Sequence, residues 1–99
     1  MPVSEAIIRK IADDTGISVI ELTTSGLIAL LREKKRSVMV DRLEVLGRYG
    51  VSSYTEVEKK IKNGEVPEHP GWEDLILLEN VEAVLVAIDE DIKSIQTSS

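Results

Sequence analysis

Two pairs of carboxylates stand at helical spacing in this chain, Asp41-x-x-Glu44 and Glu79-x-x-Glu82. Residues three apart share a helix face, so each pair presents two acids together, and two such pairs turned toward each other would suit Mg²⁺ and phosphate cleavage. The single histidine, His69, has Glu68, Glu73 and Asp74 close by in sequence, but without the recurring spacing of a metal site. Glu-His-Pro is better read as shaping a loop and opening a helix at Pro70. Asp89-Glu90-Asp91 lacks the alternating ligands and the glycine of a calcium loop. No cysteine is present, which removes thiolate nucleophiles, zinc-thiolate sites and disulfides.

Two further features bear on partners. Arg32, Lys34, Lys35 and Arg36 form a basic run without interleaved aromatic residues, in a chain whose net charge is −6. A solvated helix face fits that pattern better than a nucleic-acid grip, with an acidic protein surface as the main competitor. Trp72, in the first turn of the last predicted helix, either folds over the helix junction or anchors another protein. Packing is the expectation.

These residues must be positioned by a small domain. The 99 residues support one unit over 1–99, with a core of Ile, Leu and Val, because Phe is absent and Tyr49, Tyr54 and Trp72 are the sole aromatics. Charge is uneven: residues 1–55 carry a balance of +1 and residues 56–99 one of −7. An acidic C-terminal half repels phosphate backbones and favours a basic partner. Met-Pro-Val-Ser-Glu-Ala-Ile-Ile has neither the basic region nor the apolar run of a signal peptide, and no stretch approaches the ~20 apolar residues of a membrane span. A cytoplasmic protein without membrane contact is expected.

Helical signals recur along the chain. Ser4 and Glu5 open a helix over about 4–15, with Ile7, Ile8, Ile11 and Ala12 on one face and Gly16 as its stop. Ser18 caps a second helix reaching Tyr49 and stopped by Gly50, so that the N-terminal helices occupy 4–49. A break near Thr24 is the alternative, because Glu21 to Gly26 is poor in helix formers. An unbroken Ser18–Tyr49 helix would be about 48 Å long, so its charged interval 32–37 is expected to be bare or bent. Ser53-x-x-Glu56 reads as a capping box for a short helix over 53–63, with Val57 and Ile61 as an apolar edge. The last helix spans 70–96, and Gln96 to Ser99 should fray.

That last helix carries Leu78, Val81, Leu85, Ile88, Ile92 and Ile95 in steps of three and four, the spacing of a seam covered by another helix. No segment alternates convincingly as a strand. The fold class is therefore all-α: a long helical hairpin with short accessory helices, completed as a dimeric helical bundle. A homodimer is expected, with Trp72, Leu78, Val81, Leu85, Ile88 and Ile92 as candidate partner-binding residues.

Three resemblances follow from these segments. Ile11-Ala12 through Leu31, with the turn Thr15-Gly16-Ile17-Ser18 and then Arg32-Glu33-Lys34-Lys35, is similar to the two helices of small prokaryotic antitoxins of the ribbon-helix-helix or VapB-like kind. Arg48 to Ser53, Glu58 to Gly64 and Trp72-Glu73-Asp74 resemble the toxin-wrapping tails of some such proteins. Only Met1-Pro2-Val3 precedes Ser4, where that family has a basic DNA-binding strand, so no DNA-contacting residue carries over. What the resemblance implies is a helical partner protein whose acidic tail covers a basic toxin or nuclease surface. The residues themselves, lacking nucleophile or base constellations, lead to the expectation of a non-catalytic chain with no cofactor or metal and no nucleic-acid contact. The paired acids Asp41, Glu44, Glu79 and Glu82 are instead similar to those of all-α pyrophosphohydrolases of the MazG type. Against that, Glu79 lies well off the Leu78/Val81 seam, Glu82 only borders it, and no basic loop is near for phosphates. Ala12 four residues before Gly16 also resembles the turn of a DNA-binding helix-turn-helix, a short and common pattern.

Overall fold

A computed structural model describes residues 3–98. Four α-helices follow in order: α1 (Glu5–Thr15), α2 (Val19–Tyr49), α3 (Tyr54–Lys62) and α4 (Glu68–Ser98). Among the described residues there is no strand, and the all-α hairpin expected from the periodicity is what forms. The absence of an N-terminal strand concerned Met1 and Pro2 in part, and those lie outside the described residues, as does Ser99.

Local chemistry sets each boundary. The Ile7, Glu21 and Glu56 amides donate to the side-chain oxygens of Ser4, Ser18 and Ser53, which satisfies one otherwise orphaned donor at each helix start. Glu56 completes its box one residue early: its carboxylate accepts from the Ser52 amide at 2.7 Å, not from that of Ser53. Gly16 and Gly50 end α1 and α2 with φ of 74° and 64°, a region that costs glycine nothing. α4 has non-helical angles at His69 and Pro70, so its regular course begins at Gly71.

α2 and α4 run antiparallel as the arms of the hairpin, and α3 crosses between them at the closed end. The densest core lies at that end. Val45 and Leu46 of α2, Val57 and Ile61 of α3, and Leu75 and Leu78 of α4 are all buried, with Tyr49, Val51, Tyr54 and Val66 packed around them. Fully burying such a side chain stabilises by roughly 1.5–3 kcal/mol. Further along the arms the core thins to Val38, Val81 and Ile88. The molecule is long: its extents are 60 × 28 × 20 Å and its radius of gyration is 19.6 Å, against about 13 Å for a compact chain of this length.

Three local expectations are met and one, fraying of the C-terminal residues, is corrected. As expected, α2 runs unbroken through Thr24, and the alternative break there does not form; the Thr23 hydroxyl bonds back to the Val19 carbonyl at 2.9 Å. The charged interval of α2 is helical and largely bare, with Arg32, Glu33, Lys34, Arg36 and Ser37 exposed, while Lys35 reaches Asp89 of α4 at 2.8 Å. The apolar edge expected of α3, Val57 and Ile61, is buried in the core against α2 and α4. The C-terminal residues stay helical to Ser98, where Thr97 donates to the Lys93 carbonyl.

Candidate functional site

The polar residues gather where α2, α3 and the start of α4 meet. Asp74 stands one turn before Leu78, at a seam position, and is 7% exposed. The neighbouring arm meets it there. The Tyr49 hydroxyl donates to its carboxylate, and the Arg48 guanidinium lies 3.4 Å from the other oxygen. Burial, then the bond to Asp74, push the Tyr49 phenol up to about 12. A buried carboxylate held by two donors on another helix is a locking pair for the hairpin.

One turn outward, His69 Nδ1 lies 2.7 Å from Glu73, with both side chains well exposed. Glu73 is held below the usual carboxylate range by its own backbone amide and then by His69. The pair straddles the kink that opens α4, as the loop-shaping reading expects. Trp72 is not among the residues of the core cluster, and 37% of its surface is exposed.

Beyond the locking pair, a shallow cavity of about 340 Å³ is lined by Tyr54, Glu79 and Glu82. Each acid already has a partner. The Tyr54 hydroxyl donates to Glu79 at 2.9 Å, and that bond first, then burial, raises its phenol to about 12. Arg42 Nε donates to Glu82 at 2.6 Å. Asp41 and Glu44 flank Arg42 in sequence but are exposed on other sides of α2. The four acids of the pyrophosphohydrolase reading therefore do not converge, and among the described residues no group of three or more His, Asp or Glu side chains is placed to hold a metal ion.

The basic run is dispersed by the 100° turn per helical residue. Lys35 pairs with Asp89, Arg36 with Glu33 at 2.6 Å, and Arg32 and Lys34 are exposed on separate sides. The chain bends by 91° between α1 and the helical run beginning at Val19, an angle familiar from helix-turn-helix units. From Ser18 to Leu31, however, the second helix offers no Lys or Arg to a phosphate.

Among the sequence-derived partner residues, Leu78, Val81 and Ile88 are buried inside the hairpin and are not available to a partner. Leu85 and Ile92 are half-buried. What remains outward on α4 is a second apolar set that the first seam concealed: Trp72, Ile76, Leu77, Val84 and Val86. Exposed acids flank it at Glu68, Glu73, Glu79 and Glu90.

Among described residues no single helix is long and apolar enough to cross a membrane. The model of the Uncharacterized protein MJ0235 family matches residues 1–99, and the chain belongs to that family. Comparison with curated proteins and with solved structures finds no match.

Proposed function

We propose that this protein is a non-catalytic interaction module that acts as a homodimer and offers the outer face of α4 to another protein. The observation that supports this is the double apolarity of α4. One side closes the hairpin through Leu78, Val81 and Ile88, while Trp72, Ile76, Leu77, Val84 and Val86 remain exposed, Ile76 at 58%. Apolar side chains left exposed in this number beyond the closing seam are normally covered by a partner. The acids around the outer face favour a partner with an apolar groove and a basic rim. A toxin or nuclease bearing such a surface would fit the antitoxin-like role suggested by the resemblance of Arg48–Ser53, Glu58–Gly64 and Trp72–Asp74 to toxin-wrapping tails.

The test uses the whole chain as bait in extract of its native source, beside an Ile76→Lys/Val84→Lys variant. The expected result is one stoichiometric protein retained by the wild type and lost by the variant. Equal retention by both, or Mg²⁺-dependent hydrolysis of a nucleoside triphosphate by the purified chain, would overturn the reading.

A further inference from the structure

The hairpin's arms are unequal in reach, and the pairs across it measure by how much. Lys35 meets Asp89, Arg42 meets Glu82 and Tyr49 meets Asp74. Each step back along α2 is thus a step forward along α4, and Ser98 falls level with about residue 25 or 26 of α2. The segment Val19–Ser25, about 10 Å of helix, extends past α4 together with α1.

This overhang is not made for water. Between Ile17 and Leu31 the single charged residue is Glu21, in a chain that is 30% charged overall. Ile20 is 75% exposed and Leu30 67%, and Ile7, Ile11, Val19 and Leu27 are exposed with them. Together they leave on the order of 600 Å² of apolar side chain in solvent, at the upper end of what a monomer's largest patch shows. That is close to the ~800 Å² each partner contributes to a standard interface.

Spacing identifies the occupant. Val19, Thr23, Gly26 and Leu30 follow in steps of four, three and four, a helix-pairing seam on a flank of α2 beside the line that faces α4. The order reads the same from either end, so an antiparallel copy sets Val19 against Leu30 and Thr23 against Gly26. Such a match is what a two-fold contact requires. Gly26 costs about 1 kcal/mol in a helix interior relative to Ala, and a Cβ there would meet nothing within 4 Å. Nothing within the chain calls for a glycine at this position, whereas a helix crossing at close range does.

We infer that the N-terminal half of α2 is the self-association face of this protein, pairing with the same segment of a second copy in antiparallel register across Gly26. This rests on the reading of the chain as a homodimeric interaction module and assigns that dimer its surface. Glu21 points away from the seam, so no like charges meet across the two-fold axis.

The experiment is sedimentation equilibrium of the full chain and of two variants, Val19→Glu and Leu30→Lys, with circular dichroism of each. Both positions are exposed in the single chain, and Lys matches Leu in helix propensity, so helicity should not change. The wild type should sediment as a dimer at micromolar concentration. Each variant should be monomeric, with dissociation constants raised at least ~100-fold, as expected when a charge is set in an apolar seam. An equimolar mixture should recover the dimer, because antiparallel pairing sets the carboxylate introduced in one variant against the ammonium introduced in the other. A monomeric wild type, variants that stay dimeric, or a mixture that fails to recombine overturns the interface. So does a wild type that floats with phosphatidylcholine vesicles and fails to pair, which would make the overhang a lipid-binding arm. Variants that stay dimeric overturn this interface alone, whereas a monomeric wild type also removes the homodimer; partner capture through Ile76 and Val84 is read separately from both.

Discussion

The Tyr49 hydroxyl donates to the carboxylate of Asp74 across 25 residues of sequence, joining the end of α2 to the first turn of α4 beside the main core. Removing one partner leaves the other buried and underbonded. Tyr49→Phe should therefore cost about 1–3 kcal/mol, read by urea unfolding. The double change Tyr49→Phe/Asp74→Leu should cost less than the two single changes added together, because no polar group is then orphaned. Full additivity would show that the pair does not act as a unit.

Alkaline titration should show two late tyrosines. In the folded chain Tyr49 and Tyr54 ionise at about 12, against an ordinary value of 10.0. Between these values the unfolded chain releases protons that the native chain keeps. Their contribution to stability is thus complete below about pH 10 and is lost as pH rises through 12. Tyrosinate absorbance should rise with a midpoint near 12 in buffer and near 10 in denaturant. Tyr54→Phe should halve the native amplitude.

The junction of α3 with α4 depends on close approach. A Cβ at Gly71 would lie 3.0 Å from Ile61 Cγ1, and Ile61 is itself buried. Gly71→Val should lower stability by roughly 1–3 kcal/mol through overpacking. In an Ile61→Ala background the added cost of Gly71→Val should be smaller than in the wild type, as measured by thermal or urea melting.

Neighbouring leucines of α4 should answer oppositely. Leu78 is 0% exposed and Leu77 43%. Leu78→Ala should cost about 2–5 kcal/mol, enough to threaten the fold of so small a chain. Leu77→Ala should change stability by no more than about 0.5 kcal/mol and should instead weaken partner capture. Equal melting shifts for the two would place the seam on the wrong side of the helix.

Much of the architecture is carried by local signals. The serines at 4, 18 and 53 begin helices and the glycines at 16 and 50 end two of them, because capping depends only on residues within one turn. The stripe from Leu78 to Ile95 marks the inner side of α4 through periodicity alone, and its residues are buried or half-buried. Asp74 gave one sign of its role in sequence, an acid standing on that same stripe. Its donors lie 25 and 26 residues away, and no spacing rule links them to it.

The amino-acid order by itself determined which segments are helical, where they stop and which stripe of α4 faces inward, since these follow from interactions spanning a few residues. Only the tertiary structure decided which side chains that stripe leaves for others. Antiparallel pairing of α2 with α4 consumes Leu78, Val81 and Ile88, gives Glu79 and Glu82 to Tyr54 and Arg42, and carries α4 to its end near residue 25 of α2. Register is a property of two packed helices together. The exposed outer face of α4 and the apolar overhang of α2 are what remains once that packing is complete.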